Sequence, residues 1–233
     1  MAHVFRFFLP ASSEELAVDS AVLLVPDDAK RLHKVLRLEA GENVEIADGR
    51  GRVFVATVVN PRTGEVALSG EISGQHPLVP IRVLLAQSGP RADDAVEKLV
   101  ELGVAEIGPL LASGRRREAR TDRWQRIAAG AAAQAKLTSV PTISAPVAYG
   151  EALVPGAIVC SHEQDDASLS DALTGLSPPI TLLIGPEAGF SDEELGAARQ
   201  AGVPIVRFGQ TVLRTETAAV VFAALVIDRL SSR

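Results

Sequence analysis

Leu182-Leu183-Ile184-Gly185-Pro186-Glu187-Ala188-Gly189-Phe190, running into Ser191-Asp192-Glu193-Glu194, is the stretch that decides the fold. Ile180–Ile184 is a short, wholly apolar run and reads as a buried strand. Ser191 with Glu194 three residues on is a capping box, so a helix starts there. A strand, a glycine-bearing loop and a helix make one unit of an α/β domain. In open α/β sheets, ligands gather at the carboxyl ends of strands, where such loops lie. Gly185 and Gly189 would let a ligand approach the backbone, and Glu187 places a carboxylate in the loop. A plain turn with a solvated Glu187 is the other reading. Neither GxGxxG nor GxxxxGK[ST] occurs, so the usual dinucleotide and P-loop readings lose support.

Downstream, Gly202 and Pro204 end that helix, and Ile205–Phe208 reads as another strand. Val212-Leu213-Arg214-Thr215-Glu216-Thr217-Ala218 then leads into a last helix, about Glu216–Leu230. Thr215 or Thr217 as a cap, and Glu216 at the positive helix end, suit a helix start. Arg214 does not, because the dipole disfavours a cation there. It needs a partner: Glu216, Glu187 or an external anion. From Ala218 to Ile227 the helix is apolar almost all round, which predicts burial in the core or in a subunit interface.

Upstream, Ile81–Ala86, Val104–Leu111 and Ala157–Ser161 read as strands, with helices over Ala92–Leu102 and about Asp122–Leu137. Gly103 caps the first helix at its end and Thr121 the second at its start. Residues 73–80 are rich in glycine and proline and read as a linker. Residues 1–72 differ in texture: Val4–Leu9, Asn43–Ala47, Arg52–Val59 and Glu65–Ile72 are β-like, with turns at Asp48-Gly49 and Asn60-Pro61. Arg52–Val59 suggests a strand buried on both faces, and Asp27–Leu36 a helical interruption. This half reads as a small β-barrel or sandwich.

The 233 residues are 47% apolar and 22% charged, enough for a core without staples. One cysteine, Cys160, excludes an intrachain disulfide framework and reads as a buried small hydrophobe. Four histidines in no ligand spacing predict no metal site. The most apolar run is too short to span a bilayer, and MAHVFRFFLP lacks the layout of a signal peptide. The expectation is a cytoplasmic protein with no membrane partner. A net charge of −6 excludes a uniformly basic nucleic-acid binder. It conceals an island, however: Ala112–Leu137 holds seven Lys/Arg against two acids, a net +5. Its Arg115, Arg116 and Arg117 suit bidentate phosphate contacts, although a solvated charge run reads equally well. A second basic set is Arg6, His33, Lys34 and Arg37, where His33 and Arg37 would share a face if helical.

LLIGPEAGFSDEEL followed by VLRTETAAVVFAAL resembles the bacterial 16S ribosomal RNA uridine-N3 methyltransferases of the SPOUT class. HVFRFF, HKVLR, ADGRG, EKLVELGVAEIGPLLASGR and WQRIAAGAAAQ match further family motifs in order, so the resemblance runs nearly end to end. It implies a PUA-like N-terminal β-barrel that helps grip RNA over 1–72, and a trefoil-knotted α/β domain over 81–233. It implies S-adenosylmethionine as cofactor, 16S ribosomal RNA or the small subunit as partner, and a homodimer through the C-terminal domain. The cofactor would be held by Leu183, Ile184, Gly185, Glu187, Gly189, Phe208, Gly209, Val212, Leu213, Thr217 and Ala218. Arg6, His33, Arg37, Arg91, Arg115, Arg116 and Arg117 would contact RNA. Ala188 and Thr211 depart from the family pattern, as does 134–141, which lacks an arginine and a Glu-Gln pair.

Methylating uracil N3 requires loss of its proton and alignment with the donor. Arg214 is the candidate for stabilising charge on O2 or O4 of uracil. Glu216 is the candidate base, or the residue that orients Arg214. Two other readings remain open: a catalytically inactive RNA-binding accessory protein of the same fold, and a metabolic α/β enzyme. The last would leave the N-terminal half unexplained.

Overall fold

The computed structural model describes residues 4–9, 16–72, 77–86, 90–112, 121–162 and 167–232. It divides into two compact units, residues 1–78 with 132–140, and residues 79–131 with 141–233. The sequence reading placed everything from residue 81 in one domain. The segment 132–140 instead counts with the first unit, where Arg6 donates to the carbonyls of Lys136 (2.6 Å) and Leu137 (2.7 Å).

The first unit holds β1 (Phe5–Phe8), β2 (Ala21–Leu23), α1 (Pro26–Lys30), β3 (Asn43–Ala47), β4 (Val53–Asn60) and β5 (Glu65–Ile72). They form one five-stranded sheet in the order β1-β3-β4-β5-β2, antiparallel except for β1 beside β3. Side-chain alternation decides the inner face. Val44 and Ile46, then Phe54, Ala56 and Val58, then Val66 and Leu68 point into a core shared with Phe7, Leu24 and Leu32. The other face of β4 is buried at Val53 but not farther along: Val55 and Val59 are exposed, because no second layer covers them among the described residues. The β3–β4 turn is held by Asp48, whose Oδ1 accepts from the amides of Arg50 (2.8 Å) and Arg52 (3.0 Å).

After α1 the chain continues in one wide helical turn, Arg31–Val35, in which the Leu36 amide reaches back to the Arg31 carbonyl at 2.9 Å. Arg37 then takes a left-handed φ of 56°. His33 and Arg37 therefore do not share a helix face. Both are exposed, but Arg37 lies past the end of the helix.

The second unit runs β6 (Val79–Leu85), α2 (Pro90–Glu101), β7 (Val104–Leu111), α3 (Thr121–Gln134), β8 (Thr142–Ile143), β9 (Val147–Ala148), α4 (Tyr149–Ala152), β10 (Ala157–Cys160), α5 (Leu169–Ala172), β11 (Ile180–Ile184), α6 (Asp192–Gln200), β12 (Ile205–Val206) and α7 (Thr215–Ser231). β6 begins inside the stretch read as a linker. The seven strands are parallel, in the order β12-β10-β11-β6-β7-β8, with β9 also on β7. Strands buried on both faces read as unbroken apolar runs, as β10 and β11 do. Neighbours β6 and β11 send their connections in opposite directions, which makes a topological switch point.

α2 buries Ala92, Ala95, Val96, Leu99 and Val100, one stripe of a 3.6-residue period. The capping box on α6 forms as read: Ser191 Oγ accepts from the Glu194 amide at 3.2 Å, and Glu194 Oε2 from the Ser191 amide at 2.9 Å. α7 is buried on one side within the chain. It packs against α2, β6 and β11 through Thr215, Ala219, Phe222, Ala223 and Val226, while Leu225 on its outer side is 40% exposed. No helix among the described residues is long and apolar enough to cross a membrane.

Candidate active site

The edge position of β12 and the central position of α7 force residues 207–214 to return across the ends of β10 and β11. That return borders an open pocket at the carboxyl ends of the strands. Its walls are the end of β10 (Cys160, Ser161, His162), the β11–α6 loop (Ile184 to Glu187, Gly189, Phe190), the returning loop (Arg207, Phe208, Thr211, Leu213) and α7 (Thr215, Ala218, Phe222).

The β11–α6 loop is shaped by its two glycines. A Cβ on Gly185 would lie 2.9 Å from Cε2 of Phe190, so the ring fills the place of a side chain. Gly189 has φ +76°, and its amide donates to the Pro186 carbonyl at 2.9 Å to close the turn. Ala188 keeps φ below zero and is exposed, so its methyl group does not narrow the pocket. Phe190 is in turn braced by Tyr149, at 5.2 Å between ring centroids, and the Tyr149 hydroxyl donates to the Glu194 carbonyl at 3.0 Å. Burial pushes both that hydroxyl and the Cys160 thiol above their ordinary pKa values.

Thr215 joins the two loops: its buried hydroxyl donates to the Gly185 carbonyl at 3.0 Å. The expectation that Thr215 or Thr217 caps α7 is therefore corrected. Arg214 is the N-cap residue, without a side-chain cap bond, and Thr217 is exposed. Arg214 itself is exposed, between the pocket residues Leu213 and Thr215, and its side chain has no hydrogen bond or ion pair among the described residues. Its two internal candidates are held elsewhere. Arg91 of α2 pairs with Glu187, and its Nε lies 4.0 Å from Glu216 Oε1. Neither carboxylate pairs with Arg214.

Of the residues expected to hold a cofactor, Ile184, Gly185, Glu187, Gly189, Phe208, Leu213 and Ala218 line the pocket. Leu183 is fully buried in the sheet instead, and Gly209, Val212 and Thr217 are exposed away from the lining. Phe208 reads as strand in the sequence, but β12 stops at Val206 and Phe208 lines the pocket. Sequence reading missed Cys160, Ser161, His162, Arg207 and Phe222. The signal for the first three was their place at a strand's carboxyl end.

The expected RNA contacts fare differently. Arg6 is a correction. It is buried, 5% exposed, with Nε 3.0 Å from Glu45 Oε2 and Nη1 on two backbone carbonyls. Nothing of it is presented to a phosphate. His33 and Arg37 are exposed. Arg115, Arg116 and Arg117 lie outside the described residues. Within the rest of the basic island, Lys136 pairs with Glu45 at 2.8 Å and Arg123 with Asp93 at 2.6 Å. Among the described residues no cluster of His, Cys, Asp and Glu could hold a metal ion.

A parallel α/β sheet whose strand-end loops and returning C-terminal segment enclose one polar-rimmed pocket defines a ligand-binding α/β domain. The family model of the RNA methyltransferase domain matches residues 76–227, and the chain belongs to that family. The chain is 29% identical to the ribosomal RNA small subunit methyltransferase E of Synechocystis, over 98% of its own length and 80% of the relative's. It is 28% identical to the enzyme of that name from Mycobacterium bovis, over 87% and 85%. Among solved structures, the ribosomal RNA small subunit methyltransferase E of Neisseria gonorrhoeae, bound to S-adenosyl methionine, superposes with a TM-score of 0.86. That pair is 32% identical and covers 97% of this chain and 98% of the other.

Proposed function

We propose that the protein uses S-adenosylmethionine to methylate N3 of a uridine in 16S ribosomal RNA. The observation that carries this reading is Arg214: an exposed cation with no partner in the described chain, set between two residues of the pocket wall. The pocket suits the cofactor chemically. Ile184, Leu213, Ala218 and Phe222 offer apolar walls for an adenosine, Ser161 and Thr211 bring hydroxyls, and Glu187 brings a carboxylate for the cationic end. Gly209, Val212 and Thr217, also expected in the cofactor set, lie on the returning loop and the head of α7 outside the lining. The names and the bound ligand of the relatives support the same choice.

Bound in this pocket, the cofactor supplies a methyl group on a sulfonium sulfur. The chain's own residues then have two tasks. Arg214 stabilises the negative charge that uracil O2 or O4 gains as the N3 proton leaves. Glu216 takes that proton or orients Arg214. The Thr215–Gly185 bond ties the head of α7, where both groups sit, to the β11–α6 loop.

The first unit acts as a PUA-like module for RNA, with His33 and Arg37 on its surface and Arg115, Arg116 and Arg117 as further phosphate contacts. The second is a knotted SPOUT domain, and a homodimer through it would cover the outer face of α7, where Leu225 is exposed. The setting is the cytoplasm. Mass spectrometry of small-subunit RNA from a deletion strain tests the reading. Loss of one 3-methyluridine, restored by the gene, is the expected result; an unchanged modification profile overturns it.

A further inference from the structure

Arg91, expected from the sequence to contact RNA, lies between two carboxylates from two other segments. It donates through Nη1 to Glu187 in the β11–α6 loop, and its Nε is 4.0 Å from Glu216 Oε1 in the first turn of α7. The pair with Glu187 is half-exposed on both sides, and such pairs add little to stability. Its value must lie in what it joins. Glu187 belongs to the pocket wall, and Glu216 follows Arg214 by two residues at the head of α7. Glu216 is the more enclosed partner: its side chain is 19% exposed, and its Oε2 is buried without a hydrogen-bond partner among the described residues. Without Arg91, two carboxylates on separate segments would face each other with no cation between them, and like charges repel.

Building on the methyltransferase reading, we propose that Arg91 is a positioning residue. It ties the β11–α6 loop to the head of α7 and so fixes Glu216 and Arg214 relative to the pocket. A displacement of catalytic groups by about 1 Å costs on the order of 100-fold in rate. Arg91→Ala should therefore lower kcat by about that factor. Its KM for RNA, its cofactor Kd and its melting temperature should stay near those of the parent. Arg91→Lys should recover part of the rate, because an ammonium can hold one carboxylate but lacks the guanidinium fork. At saturating cofactor, Glu187→Gln should lower kcat less in the Arg91→Ala background than in the parent, since the two act through one contact.

Three results would overturn the role. A raised KM for RNA with kcat intact would make Arg91 an RNA contact. A lowered melting temperature with cofactor binding lost would make it a structural residue. Additive effects of Arg91→Ala and Glu187→Gln would show that they do not act together. If instead the parent protein transfers no methyl group to 16S ribosomal RNA, the methyltransferase reading fails first, and this role with it.

Discussion

Arg6 in β1 and Arg214 at the head of α7 carry the same cation in opposite surroundings. Arg6 is 5% exposed and engaged by a carboxylate and two carbonyls, so it holds β1, β3 and the 136–137 segment together. Arg214 is exposed, and the carboxylates nearest in the chain's logic, Glu187 and Glu216, face Arg91 instead. An arginine is a lead to ligand contact only where the fold leaves its charge unanswered. A guanidinium neutralised inside the chain has no remaining pull on a phosphate or an enolate.

The largest expected effect tests the open side of that contrast. Arg214→Ala should lower methyl transfer by about 10²–10³-fold, the usual cost of losing one charge-stabilising donor, with cofactor binding by calorimetry unchanged. Full activity in that variant would erase the distinction. Next comes the closed side. Arg6→Ala strips a buried ion pair of one member, which costs about 3 kcal/mol, read as a lower urea midpoint. The salt dependence of RNA binding should not change. A variant as stable as the parent but weaker on RNA would reverse the comparison.

A smaller effect sharpens it within the pocket. Gly185→Ala sets a methyl group 2.9 Å from the Phe190 ring. The ring must shift, and overpacking of this kind costs about 1–3 kcal/mol. The displaced Phe190 ring, itself part of the pocket wall, should weaken cofactor binding, whereas Ala188→Gly, at an exposed position, should leave it unchanged. The smallest effect concerns Cys160, which lines the pocket but is pushed above its ordinary pKa by burial. A raised pKa means less thiolate at any pH below it. Iodoacetamide at pH 8 should therefore label Cys160 slowly in the folded protein and quickly in urea. Rapid labelling in both states would show that the pocket wall is open.

Much of the architecture was readable because burial writes itself into short apolar runs. β3, β5, β7 and β11 have the bounds that their runs imply, and the Ser191–Glu194 capping box marks the start of α6. β2 was not readable: Ala21–Leu23 is a three-residue edge strand with Leu23 65% exposed, so it shows no alternation. β8 and β9 have two residues each, too few for any period. In the site, the loops at 185–190 and 213–218 were readable from their motifs. Cys160-Ser161-His162 and Phe222 were not, since each reads as ordinary strand or helix.

By itself, the sequence determined the change from antiparallel sheet to α/β order, the helix caps and the two loops that carry the chemistry. All of these depend on neighbours within a few residues, where propensity and hydrophobic period act. Only the tertiary structure decided which charges remain available. Glu45 lies 39 residues from Arg6 and 91 from Lys136, yet it accepts from both. Arg91 meets Glu187 across 96 residues. Coulomb attraction depends on distance in space, which nothing local in the chain records, so the partners of each arginine appear only once the strands have been placed.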